Sequence, residues 1–172
     1  NRGRNWCSGY HYTDTVIKGF AHNHISGAGL GAFGDFLIMP TSAKLVLSPG
    51  KGGTPDESYR SRFTHDTEKA TAGYYSVVLA DYNIKAELTT SERVGFHRYE
   101  IPAEESSHII LDLIANIYQH DDKNVWTFIR VENDSLVTGD RQTKGWARTK
   151  KVFFAMQFSK PFKSYGHKKY NK

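Results

Sequence analysis

Short apolar runs separated by turn residues organise this chain, and no long stretch carries helical periodicity. Residues 35–39, Asp-Phe-Leu-Ile-Met, form a compact run of strand formers, and Pro40 is expected to stop it because proline cannot donate to a ladder. Residues 44–47, Lys-Leu-Val-Leu, read as the next strand. The glycines and prolines of Ser48-Pro-Gly-Lys-Gly-Gly-Thr-Pro-Asp56 then impose a loop. Residues 74–79 and 84–90 predict a hairpin around Asp81-Tyr82-Asn83. Residues 92–101 alternate, with Val94, Phe96 and Arg98 on one face and Arg93, His97 and Tyr99 on the other. Residues 108–113 are rich in β-branched side chains, although the preceding Pro102-Ala-Glu-Glu would also suit a helix start. Residues 125–132 and 135–139 flank the turn Asn133-Asp134, and residues 151–158 form another strand. Eight or nine strands at about ten-residue spacing predict an all-β chain, an antiparallel sandwich or barrel with few or no helices.

Composition narrows the picture. The chain has 172 residues, of which 38% are hydrophobic, 24% charged and 13% aromatic, enough to bury a core in a single domain spanning residues 1–172. No apolar run approaches the ~20 residues of a membrane span. A lone cysteine, Cys7, excludes an internal disulfide framework and a four-cysteine zinc site. The net charge is +5, but four lysines fall in residues 163–172. The remainder carries 19 basic against 18 acidic residues, so the excess reads as a solvated tail and no nucleic-acid partner is expected. The opening segment Asn1-Arg-Gly-Arg-Asn-Trp6 has no apolar signal core.

The glycines of Gly27-Ala-Gly-Leu-Gly-Ala-Phe-Gly34 spell G-x-G-x-x-G from Gly29. A dinucleotide site needs a strand before that motif and a helix after it. A proline-capped strand follows instead, so sharp bending or close ligand approach is the better reading. Just upstream, His22 and His24 would point the same way on an extended chain. They could bind a transition metal, with a third ligand from His11, Asp14 or Asp35, or hydrogen-bond within a pocket, or be ordinary structural histidines. Their company (Trp6, Tyr10, Tyr12, Phe20, Phe33 and polar His, Asn and Ser groups) suits a sugar, whose rings stack on aromatic faces. A second polar cluster runs from Tyr59 to Tyr75, in which His65, Asp66 and Glu68 could include an acid or base; a salt-bridged loop is the plainer reading. The adjacent pairs Glu104-Glu105 and Asp121-Asp122 would point to opposite faces of a strand and make poor catalytic dyads. Asn133-Asp-Ser135 matches the glycosylation sequon.

Ser8-Gly-Tyr10, residues 17–27 (Ile-Lys-Gly-Phe-Ala-His-Asn-His-Ile-Ser-Gly), residues 34–40 (Gly-Asp-Phe-Leu-Ile-Met-Pro), residues 59–66 (Tyr-Arg-Ser-Arg-Phe-Thr-His-Asp), Arg93-Val-Gly-Phe-His-Arg-Tyr99, Lys144-Gly-Trp-Ala147 and Phe158-Ser-Lys-Pro-Phe162 together resemble the N-terminal domain of glycoside hydrolase family 92. These are calcium-dependent exo-acting α-mannosidases of the α-1,2 type, and the resemblance runs through nearly the whole chain in order. It departs at Ala21 and Asn23, where the family usually has Ser and Thr. The resemblance implies a galactose-mutarotase-like supersandwich, incomplete at its N-terminus. It implies a helical α/α toroid, the family's catalytic domain, lying beyond this chain. It also implies an inverting hydrolysis whose acid and base, with most of the calcium site, lie in that domain. No catalytic residue and no metal held mainly by this chain is then expected. Trp6, His22, His24, Ser26 and Gly27 would form one wall of the cleft for a mannose-containing glycan. The resemblance further implies an extracytoplasmic location and an exposed apolar domain face through which the chain could dimerise. A stand-alone carbohydrate-binding module or lectin is the alternative, and a small metalloenzyme built on His22 and His24 a third reading.

Overall fold

The computed structural model describes residues 10–23, 34–42, 44–50, 57–103, 106–115, 124–145 and 148–169. Twelve strands are found among them: β1 (Val16–Ile17), β2 (Phe20–Ala21), β3 (Leu37–Ser42), β4 (Ser61–Arg62), β5 (Lys69–Thr71), β6 (Tyr74–Leu79), β7 (Ile84–Thr90), β8 (Gly95–Glu100), β9 (Ser107–Asp112), β10 (Asn124–Val131), β11 (Leu136–Thr143) and β12 (Lys150–Gln157). The only helical turn among the described residues is a 3-10 turn, His65–Thr67. All the pairings are antiparallel, as an all-β sandwich requires.

The architecture follows from side-chain alternation. In the four-stranded sheet β5-β6-β7-β8, Val77, Leu79, Ile84 and Ala86 are fully buried, and pair as Val77↔Ala86 and Leu79↔Ile84. Glu87, Arg98 and Lys85 hold the opposite face with hydrogen bonds and ion pairs. The apolar face packs on the sheet β2-β3-β9, so Phe20, Met39 and Ile110 join the same core together with Tyr59 and Phe63. A third sheet, β10-β11-β12, is fastened to the segment that leads into β3: Phe36 packs against Phe154 at 4.8 Å between ring centroids.

The structure revises two expectations. Pro40 does not stop its strand but sits inside β3, opposite Ile109 of β9. The ladder to β2 covers only Leu37 and Ile38, so at Pro40 that edge is open and no strand partner loses a donor there. Residues 44–47 form no strand: Leu45 and Leu47 are exposed, so no sheet face claims them. The hairpin at Asp81-Tyr82-Asn83 stands as read, with Asn83 at φ +49°, a conformation asparagine tolerates well. Residues 107–112 are strand β9, not helix.

Candidate functional site

The core face of the four-stranded sheet ends in one row of side chains. Register places Ala70 beside Tyr75, Tyr75 beside Leu88, and Leu88 beside His97. Tyr75 and His97 are therefore two strands apart, roughly 10 Å, on the same face. A cluster is built on each.

At the β8 end, His22, just after β2, lies flat on His97 at 4.6 Å between centroids and 12° between planes. Phe20 and Tyr99 meet His97 edge-on, and the Tyr99 hydroxyl lies 2.5 Å from His97 Nδ1. The backbone of Gly95 lies directly against the His22 ring, where a Cβ would collide with it. Burial and the neighbouring His22 push His97 down to about 4, and burial also lowers His22. Both rings are thus neutral near pH 7, where imidazole can donate one hydrogen bond and accept another.

At the β6 end, a cleft of about 530 Å³ is lined by Tyr10, Tyr12, His65, Glu68, Ala70 and Tyr75. Glu68, just before β5, accepts hydrogen bonds from Tyr75 at 2.6 Å and Tyr10 at 3.0 Å and pairs with His65 at 2.6 Å. Burial opposes its ionisation, but the bonds from Tyr75, His65 and Tyr10 hold it below the usual carboxylate range. Three donors already engage it, which makes it a poor general base.

Polar groups at the β3–β9 junction complete the picture. Asn23 closes onto Asp35, its Nδ2 donating to Oδ2 at 2.9 Å while its Oδ1 accepts from the Asp35 N–H at 3.0 Å; the Gly34 N–H donates to the Asn23 carbonyl. Asp35 is 1% exposed and pairs with Lys150 of β12 at 2.6 Å. Arg141, fully buried, donates to the carbonyls of Asp35 and Ala115, each at 2.7 Å, and to Asn124. Asp112 accepts from Tyr59 and from the Ile114 and Ala115 amides. These groups clamp the two chain ends, residues 23 and 34, between which the glycine-rich segment runs.

Of the five wall residues expected from the sequence, only His22 is among the described ones; Trp6, His24, Ser26 and Gly27 lie outside them, as do Cys7 and the carboxylate pairs 104–105 and 121–122. Sequence reasoning placed His97 and Tyr99 on one face but did not single them out, and missed Arg141 and Lys150. Of the proposed third ligands for a metal, His11 bonds Thr13 and Asp35 bonds Lys150. Among the described residues no group of three or more His, Cys, Asp or Glu is placed to hold a metal ion.

An antiparallel sandwich with a histidine- and tyrosine-lined end defines an all-β domain. The profile of the Glycosyl hydrolase family 92 N-terminal domain matches residues 1–172, and the chain belongs to that family. It is 38% identical to the family GH92 α-mannosidase BT3965 from Bacteroides thetaiotaomicron, with a TM-score of 0.86 over 92% of this chain and 21% of that one. The same enzyme in complex with mannoimidazole matches with a TM-score of 0.85 and the same identity, over 91% of this chain and 20% of that one. The GH92 family glycosyl hydrolase ccman5 shares the fold, at 24% identity and a TM-score of 0.63, over 90% of this chain and 21% of that one. The chain thus spans about a fifth of the length of these proteins. No curated protein matches it.

Proposed function

We propose that this chain is the non-catalytic N-terminal domain of an inverting α-mannosidase of the α-1,2 type and supplies one wall of its glycan cleft. The observation that carries this reading is the 38% identity to a GH92 α-mannosidase over 92% of the chain. In this reading Trp6, His22, His24, Ser26 and Gly27 face the terminal mannose or its neighbour. His22 sits at the open end of the core, and Trp6 precedes Tyr10 of the adjoining cleft by four residues. Inversion needs a general acid at the leaving oxygen and a general base on a water from the opposite face. Glu68, Asp35, Asp112 and Asp81 are each held by donors, and by resemblance to the family acid and base belong to the polypeptide outside this domain. In this reading most of the family's calcium site lies there too, and the intact protein acts on extracytoplasmic glycans.

The test is calorimetric titration of residues 1–172 with mannose and α-1,2-mannobiose, with an assay for released mannose. Half a cleft encloses too little of a sugar to offset the entropy of association, so binding weaker than about 1 mM and no release are expected. Affinity tighter than about 0.1 mM would favour a lectin instead. Enzyme-like release of mannose would overturn the reading.

A further inference from the structure

In the β6-end cleft the polar side-chain atoms of Tyr10, His65, Glu68 and Tyr75 are bonded to one another or to the main chain, which marks it as a fastening. His65 is at its centre. Its Nε2 lies 2.6 Å from the main-chain carbonyl of Tyr12, and a carbonyl can only accept, so Nε2 carries a proton. Its Nδ1 lies 2.6 Å from Glu68 Oε2. That carboxylate already accepts from Tyr10 and Tyr75, so Nδ1 carries a proton as well. The Tyr12 ring covers the imidazole face at 4.3 Å and 9° from parallel, and Phe63 meets it edge-on.

We propose that His65, doubly protonated between the Glu68 carboxylate and the Tyr12 carbonyl, is a positioning residue that clasps the arm of residues 10–15 to the four-stranded sheet. One side of the clasp belongs to the arm, through the Tyr12 carbonyl and the Tyr10 hydroxyl. The other belongs to the sheet, through Glu68 before β5 and Tyr75 of β6. Removing the proton from Nδ1 would set a lone pair against the carboxylate, and the shared oxygen Oε2 would lose one of its two donors. The arm's internal bonds, from the Asp14 amide to the His11 carbonyl and from the Thr13 amide to His11 Nδ1, report whether it stays seated.

The ionisable groups facing His65 support the assignment. They are Glu68 and Asp66 from its own segment, Tyr10 and Tyr12 from the arm, and Tyr75 from β6. The Glu68 hydrogen bond is the main cause raising the His65 pKa, with the Tyr12 carbonyl and both carboxylates adding to it. Tyr10 and Tyr75 are raised by burial and by Glu68 and so stay neutral donors. The clasp is therefore closed below the His65 titration and opens as pH rises through it.

That the clasp also fixes the lead-in to Trp6 rests on the mannosidase reading; the anchoring itself does not, and is tested without sugar. The test is amide hydrogen exchange of residues 1–172 across pH 5–9, corrected for intrinsic exchange, with an NMR titration of His65. In the unsubstituted chain His65 should titrate above its ordinary value near 6.5. The Thr13 and Asp14 amides should exchange about tenfold faster once it has lost its proton. His65→Phe keeps the ring stack but drops both hydrogen bonds, and should show the fast exchange at every pH with β6–β8 unaffected. Glu68→Gln should return the His65 pKa toward its ordinary value, and decides the matter if the His65→Phe chain does not fold. Arm exchange indifferent to pH, or His65 titrating at or below its ordinary value, would overturn the proposal.

Discussion

His22 and His97 lie ring on ring although one follows β2 and the other belongs to β8, so the stack joins the two sheets of the sandwich at their open end. Both are pulled below the usual histidine pKa, His97 to about 4. As pH falls from about 6.5, the unfolded chain takes up protons that the folded chain refuses. The contribution of this pair to stability is therefore full above about 6.5 and declines as pH drops toward 4. Because His97 is partly screened by solvent, the loss should be roughly 1–2 kcal/mol. Urea midpoints measured across this window should show that decline, and His97→Phe should flatten most of it between pH 6.5 and 4.5, above the titration of the carboxylates.

Gly95→Ala tests the same stack from its back. The added methyl would occupy the position of the His22 ring, which is the end of a mobile side chain and can swing aside. The cost to stability should stay below about 1 kcal/mol. Loss of the covering ring exposes His97, so its pKa should climb toward the ordinary histidine value in an NMR titration.

How far the sequence revealed this end of the molecule depends on the range of each interaction. The Asp81–Asn83 turn is local chemistry and could be read directly. So could the alternation that put His97 and Tyr99 on one face, although Arg93 falls in the bend before β8 and not on the strand. That His97 meets His22 could not, because nothing in the spacing of either segment specifies contact between two sheets. The two- and three-residue strands β1, β2, β4 and β5 have too little pattern to show period two. Pro40 misled because its tolerance depends on where the β2 ladder ends, which is a tertiary fact. Glu68 was noticed as a possible acid or base. Only its three donors, brought from the arm, the 3-10 turn and β6, show that it is locked.

Asp35 makes the junction between β3 and the third sheet vulnerable. Lys150→Met leaves a nearly fully buried carboxylate without its cation, with Asn23 as its remaining side-chain donor. Breaking such a pair costs about 3 kcal/mol, readable as a drop in urea midpoint. A double-mutant cycle with Asn23→Ala should show strong coupling, since both side chains bond the same Asp35 oxygen.

The outer face of β10–β12 exposes Trp126 (57%), Phe128 (45%) and Phe153 (70%), with Phe128, Asp140 and Phe153 in one cross-strand row. Lys151 covers only part of Phe153, its Nζ 5.0 Å from the ring centroid. Residues 1–172 should self-associate through this face in sedimentation experiments. The pair Trp126→Ser and Phe153→Ser should reduce association while changing the unfolding free energy by no more than about 0.5 kcal/mol per site.

Trp6 carries the functional reading most directly. In the full-length mannosidase proposed above, Trp6→Ala should weaken substrate binding by about 1–3 kcal/mol through loss of a stacked contact, seen in kcat/KM. Unchanged kinetics would remove Trp6 from the cleft wall.

The sheet topology also sets an order of assembly. Strands β5 to β8 are successive hairpins and can zip up from neighbours in sequence, whereas β3 finds β9 only after a long intervening segment has been drawn in. The imidazole pair therefore comes together late, when the distant half of the sandwich arrives. A probe on those rings would time the closing event of folding, and anything that delays the β3–β9 encounter would leave a well-formed meander whose open end is unfinished.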